Sequence, residues 1–167
     1  MAPRGAAFAC SLLIGVSAWA AGRSARQASS DHATVRRVVD GDTVELQDGQ
    51  LVRYIGIDTP ESRRRDARGE WVDDPQPFSY EATELNRRLV EGRRVRLEYD
   101  AQTHDRYRRL LAYVYVESGG REVMVNEELL RAGLAQLLTI PPNVKYVEQF
   151  RALVEEARRQ RRGLWKD

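Results

Sequence analysis

Between Val39 and Glu61 the chain carries Asp40, Asp42, Asp58 and Glu61, with a single arginine, Arg53, among them. Carboxylates are the hard oxygen donors that Ca²⁺ or Mg²⁺ takes, and a spare one can accept a proton from water. Arginine binds phosphate and the charge that develops when phosphorus is attacked. Together these residue types are what metal-assisted cleavage of a phosphodiester requires. Asp-Gly-Asp alone is a common solvated turn. Arg53 argues for more, because a guanidinium inside an otherwise apolar strand is costly to bury without a partner. A purely structural ion pair is the alternative.

The elements that must position these groups begin with a hairpin. Val44 and Leu46 alternate with Thr43, Glu45 and Gln47, Asp48-Gly49 is a turn signal, and an apolar-rich run follows. A two-residue turn pairs Gln47 with Gln50 and sets Val44 opposite Arg53, Asp42 opposite Ile55 and Asp40 opposite Ile57. In that register Arg53 and Asp42 are diagonal neighbours on one face, roughly 7 Å apart. Pro60 removes a donor and holds Thr59 extended, so the strand stops and Asp58 and Glu61 can turn toward Asp42.

Elsewhere, Thr34 to Asp40 reads as a strand, and Ser62 to Pro77 as a long surface loop whose Arg63, Arg64 and Arg65 either grip a nucleic-acid backbone or are a solvated charge run. Phe78, Ala82, Leu85 and Leu89 recur at helical spacing and predict a helix over Ser79 to Val90, ended by Gly92. Arg94 to Tyr99 and Leu110 to Val116 are further strands. The connection between them holds Asp105, Arg106, Tyr107, Arg108 and Arg109, where arginines beside a tyrosine can bind phosphate. His104 reads as exposed. Asn126 is expected to cap a short helix that Gly133 ends, and a last helix is expected from Val144 to Arg161. Arg158, Arg159, Arg161 and Arg162 near its end suit the helix dipole without any ligand. Leu164 and Trp165 are expected to dock back on the core.

Val39-Asp40-Gly41-Asp42-Thr43, Arg53 and Asp58-Thr59-Pro60-Glu61, followed by Asp105 to Tyr113, resemble the staphylococcal nuclease (thermonuclease) family over roughly Ala33 to Trp165. The resemblance implies an α+β fold, a five-stranded OB-type Greek-key β-barrel with about three α-helices. It implies a Ca²⁺-dependent endonuclease acting on DNA and RNA, in which Asp42, Asp58 and the Thr59 carbonyl hold Ca²⁺. Glu61 orients or deprotonates the attacking water, Arg53 and Arg109 stabilise the developing charge, and Arg106 and Tyr107 contact a neighbouring phosphate. Two departures stand out. Arg108 occupies a position where the family commonly has glycine, so a positive φ there would be strained. Thr139-Ile140-Pro141-Pro142 replaces the aromatic pair that lines the nucleotide pocket. A non-catalytic OB module binding single strands or peptides is the rival, but it has no need of Asp42, Asp58, Glu61, Arg53 and Arg109 together.

The 167 residues suffice for one domain with a real core. With 27 basic and 25 acidic residues the formal charge is +2, so binding to nucleic acid must come from local clustering. Residues 1–21 have the layout of a secretory signal peptide, with Arg4, an apolar run from Ala6 to Trp19 and Ala18-Trp19-Ala20 at the end. Residues 22–32 read as a flexible linker and residues 33–167 as the folded domain. Cys10, the sole cysteine, lies in the leader, so the mature chain has no thiol chemistry. The reading is a secreted or periplasmic monomer with no stable membrane association after leader cleavage.

Overall fold

The structure, a computed structural model, describes residues 30–166. The expected leader and most of the expected linker lie outside that range. Strands β1 (Ser30–Asp40), β2 (Thr43–Leu46), β3 (Leu51–Tyr54), β7 (Arg94–Glu98) and β8 (Leu110–Ser118) form a closed mixed barrel. The pairs β1–β2, β2–β3, β1–β7 and β7–β8 are antiparallel, and a parallel β3–β8 pair closes the ring. β9 (Arg121–Met124) extends the sheet from β8. Closure removes the free edges that an open sheet would leave. With α1 (Ser79–Val90), α2 (Val125–Arg131) and α3 (Val147–Arg159), this is the expected α+β fold of OB type. Among the described residues no helix is long and apolar enough to cross a membrane.

The core is one cluster. Val35, Val44, Val52, Val95, Leu97 and Val114 come from the barrel, Leu129 and Leu130 from α2, and Phe150 and Val154 from α3. Trp165, in a short 3₁₀ turn (Gly163–Trp165), packs against it, with the Arg158 guanidinium 4.3 Å from its ring centroid.

The β2–β3 register differs by one from that expected. Thr43 pairs with Arg53 and Val44 with Val52. The Leu46 N–H donates to Gln50 O at 2.9 Å and the Gly49 N–H to Leu46 O at 3.0 Å, so the turn holds three residues, with Gly49 at φ 86°. A tight turn followed by a glycine in the left-handed region matches strand twist as well as a two-residue turn does. Val52 and Tyr54 therefore face the core. Asp42 lies just beyond the last ladder pair, where strand alternation no longer governs it, and its carbonyl accepts the Tyr54 N–H at 2.9 Å.

Four further expectations change. β1 begins at Ser30 and pairs Ser30 to Thr34 with β7, so the end of the expected linker is strand. The expected Ser62–Pro77 loop contains a small hairpin, β5 (Arg63–Arg65) with β6 (Trp71–Asp73). Asn126 does not cap α2. It lies inside the helix, fully buried, accepting the Val114 N–H at 3.0 Å and donating to Ile55 O at 2.9 Å. Its amide ties β8 to the segment that follows β3. α3 is also shorter than expected, starting at Val147.

Because Asn126 satisfies two buried backbone groups, Asn126→Ala strands both, and each costs about 1–3 kcal/mol. Urea unfolding is expected to show a loss of about 3 kcal/mol.

Candidate active site

Arg53 is the centre. Its Nη1 donates to Tyr54 O at 3.0 Å and to Ile57 O at 2.9 Å. Its Nη2 lies 3.1 Å from Asp42 Oδ2 and 2.8 Å from Asp58 Oδ1. Those two carbonyls flank a kink at Gly56, whose φ is 82°. A Cβ on Gly56 would stand 2.6 Å from the Phe150 ring, so only glycine fits the kink against α3. After it, β4 (Ile57–Asp58) pairs with β10 (Gln136–Leu137), and this brings Asp58 onto Arg53. Strict alternation through the strand would have turned Asp58 away.

Asp42 is buried and fully engaged. Its Oδ2 accepts the Thr59 N–H at 2.9 Å and the Thr59 hydroxyl at 3.1 Å, and its Oδ1 accepts the Thr43 hydroxyl at 3.2 Å. Burial outweighs the nearby Arg53 charge and pushes Asp42 up to about 7, with Asp40 adding to the rise. Asp40, which accepts the Asp42 N–H at 3.1 Å, is raised chiefly by burial as well. Helix α1 supports this corner through Asn86, which accepts from the Tyr54 hydroxyl at 2.8 Å and donates to Asp40 O at 3.2 Å. Glu61 is raised by partial burial and then by the charges of Asp42 and Asp58. Its backbone N–H donates to Gln76 Oε1 at 3.0 Å.

Arg53 also lines a cleft of about 520 Å³ together with Arg106, Tyr107, Arg109, Leu138 and Ile140. Arg106 and Arg109 stand 4.8 and 5.6 Å from the centroid of the exposed Tyr107 ring. The Arg109 side chain is held by Asp105, whose Oδ2 accepts Arg109 Nε at 2.7 Å. Asp105 Oδ1 accepts the N–H groups of Tyr107 at 2.8 Å and Arg109 at 3.0 Å. Burial raises the Asp105 carboxyl, but these bonds outweigh it and hold it below the usual carboxylate range. Asp105 is a positioning residue that the spacing of acids and arginines does not single out. An Asp that heads a turn and can bond its own downstream amides is the signal that marks it.

The structure thus brings together Asp42, Arg53, Asp58 and Thr59 by direct contact, and Arg53, Arg106, Tyr107 and Arg109 in one cleft. Thr59 meets Asp42 through its N–H and hydroxyl. Glu61 makes no side-chain hydrogen bond to the group. The Arg63 to Arg65 cluster faces acids of its own hairpin, Arg63 with Asp73 at 3.0 Å and Arg64 with Asp74. Arg65 lies 4.7 Å from the Trp71 ring centroid. Arg63, Arg64, Arg65 and Arg68 are matched in number by Asp66, Glu70, Asp73 and Asp74, which leaves the hairpin without net charge for a phosphate backbone.

A hard cation fits this donor set. Asp42 and Asp58 converge on one nitrogen of Arg53, so their oxygens already share a point of positive charge. Among the described residues no cluster of three or more His, Cys, Asp or Glu side chains could cage a metal. Two carboxylates with carbonyl and water completing the shell is oxygen chemistry suited to Ca²⁺ or Mg²⁺.

The raised Asp42 has a sign that can be read in stability. A carboxyl whose folded value exceeds its unfolded one binds its proton more tightly when folded. That contribution is full below about pH 4, the unfolded value, and is lost as pH rises through about 7. Thermal melts in chelator across this window are expected to show wild type losing stability relative to Asp42→Asn as pH rises.

The family described as Staphylococcal nuclease homologue matches residues 51–167. Over 134 residues the chain is 40% identical to a protein named Thermonuclease from Staphylococcus hyicus, covering 78% of this chain and 73% of that one. It is 36% identical over 146 residues to Thermonuclease from Staphylococcus intermedius, covering 86% and 81%. It is 36% identical over 139 residues to Endonuclease YncB from Bacillus subtilis, covering 80% of this chain and 61% of that longer protein. With the barrel, the Arg53-centred acids and the Arg109 turn in place, these matches establish that the chain belongs to the staphylococcal nuclease family.

Proposed function

We propose that this chain is a secreted, Ca²⁺-dependent nuclease that hydrolyses phosphodiester bonds of DNA and RNA. Family membership and relatives named thermonuclease and endonuclease support the nuclease part. The observation that carries the chemistry is the convergence of Asp42 and Asp58 on Arg53 at the mouth of a cleft that also holds Arg109. Secretion enters through the leader-like layout of residues 1–21.

In this reading Asp42, Asp58 and the Thr59 carbonyl hold Ca²⁺. When bound there, Ca²⁺ would supply Lewis-acid polarisation of the phosphate. Arg109 presents its terminal N–H groups to the phosphate oxygens, and Arg53, whose Nη2 N–H groups would be freed as Asp42 and Asp58 turn to Ca²⁺, meets with it the negative charge that grows on them in the transition state. Glu61 takes a proton from water as the water oxygen bonds to phosphorus and the bond to the leaving sugar oxygen breaks, and that oxygen takes up a proton from solvent water. A carboxylate raised by burial and by neighbouring acids is a stronger base near neutral pH than an ordinary one. Arg106 and Tyr107 line the same cleft and take the role of contacts for an adjacent phosphate in this reading.

Two measurements test this reading. Degradation of DNA and RNA is expected in Ca²⁺, to stop with chelator and to recover poorly in Mg²⁺, because a loop-borne oxygen set tolerates the looser Ca²⁺ shell better than the Mg²⁺ octahedron. Equal turnover with either ion contradicts the Ca²⁺ assignment. Glu61→Gln is expected to lower turnover by about 10² or more while Ca²⁺ and nucleotide binding by calorimetry stay near wild type. Unchanged turnover removes Glu61 from the chemistry.

A further inference from the structure

The Arg53–Asp58 ion pair links two clefts, Arg53 lining one and Asp58 the other. The 520 Å³ cleft includes Arg53 and Ile57, while a second of about 410 Å³ starts at Asp58 and Pro60 and takes in Phe78, Gln136 and Lys166. Gln136, paired with Asp58 across β4 and β10, also lines a third depression of about 210 Å³ with Arg151, Arg158 and Trp165. The second and third therefore share Gln136 as a wall residue, and neither includes Tyr107.

Asp58 and Thr59 at its inner end belong to the proposed hydrolysis, but the rest of this groove does not, and its composition is unlike that of a plain solvated face. Arg151, Arg158 and Lys166 bring three cations to it against the carboxylates of Asp58 and Glu155, and the helix dipole does not account for Arg151, which lies mid-helix in α3. Arg151 meets Glu148 at 3.5 Å and Arg158 meets Glu155 at 3.3 Å, both solvent-exposed i,i+3 pairs. Such pairs are weak and screened, so they do not hold the guanidiniums from an anion. Trp165 Nε1 is a buried donor with no acceptor among the described residues, although a buried indole N–H normally finds one.

We propose that this groove carries the polynucleotide strand on the far side of the scissile phosphate. A single strand lies in the first cleft, sets one phosphate at Arg53 and Arg109, and leaves past Asp58 and Gln136 toward Arg158, Arg151 and Lys166. This assignment rests on the nuclease reading. Two observations choose the occupant: the groove begins at Asp58, which is ion-paired with Arg53 of the reacting centre, and its lining carries three cations against two carboxylates. The path bends round β4, which a flexible single strand can follow.

The test is fluorescence anisotropy of the full chain with a labelled single strand of about 12 nucleotides, within the roughly 4–16 that one such domain covers, in chelator so that no cleavage occurs. Arg151→Gln with Lys166→Gln removes two exposed cations and leaves the Arg158 stack on Trp165 intact. The slope of log affinity against log salt is expected to flatten by about 1.4, from roughly 0.7 per lost phosphate contact. Arg94→Gln with Arg121→Gln makes the same charge change on β7 and β9, outside these clefts, and is expected to keep the wild-type slope. Thermal melts establish that both double variants fold. A wild-type slope in the groove variant, or equal flattening in both, overturns the proposal. Hydrolysis by wild type in Ca²⁺ is read separately. Cleavage with an unaffected slope defeats the groove alone, whereas groove-dependent binding without cleavage defeats the nuclease reading alone.

Discussion

The arrangement depends on one guanidinium held where water barely reaches it. The Arg53 side chain is 13% exposed, and a cation so placed is tolerable only if its N–H groups find acceptors. They do, in two pairs. One nitrogen takes carbonyls from either side of the Gly56 kink, and the other takes carboxylates from the ends of β2 and β4. The chain thus folds around its own arginine, and the same contacts that offset its burial fix the spacing of Asp42 and Asp58. Lysine, a point charge on a flexible stem, cannot bridge these four acceptors in one plane.

Buried amides carry that order outward. Asn126 fastens the backbone just before Gly56 to β8, the strand that follows the Arg109 turn. Asn86 fastens Tyr54 and Asp40 to α1. Each bond is worth little net, but each would cost much if broken, since its partner would be left buried and unpaired. Polar groups of this kind select a single packing where apolar contacts alone tolerate several. The site therefore rests on barrel strands and helices rather than on the mobility of its loops.

Much of this was legible from residue types and order. The acids, Arg53 and the Arg109 turn stand in the chain as a set, and α1 occupies Ser79–Val90 as its apolar spacing predicts. What was not legible depends on geometry that no local pattern encodes. Asp48-Gly49 fits both a two-residue and a three-residue turn, and the choice moves the register by one. β4 and β10 are two residues each and exist through pairing with one another. Asn126 looks like a helix cap because Asn favours that role, yet two buried backbone groups outweigh the local preference. The residue types of the Arg63 cluster fit both a phosphate grip and a solvated charge run, and the choice rests on the β5–β6 pairing that sets Asp73 and Asp74 against it.

The turn before β8 shows how the chain accommodates a departure from its family. Arg108 lies at φ 64°, the left-handed region where a side chain other than glycine costs about 1–2 kcal/mol. The cost is local, and so is what offsets it. Asp105 takes three N–H groups within the turn, two from Arg109 and one from Tyr107, and its backbone bonds to Arg108 and Arg109 at 3.0 and 3.1 Å. Hydrogen bonds to an ionised carboxylate contribute about 1.5–3 kcal/mol each, more than the strain at one residue. The turn therefore does not need glycine to hold its shape, because Asp105 holds it from the other side. The same carboxylate grips Arg109 Nε, which leaves the terminal nitrogens of that guanidinium at the end of a braced side chain beside the cleft. Strain at Arg108 and placement of Arg109 are thus two consequences of one acid.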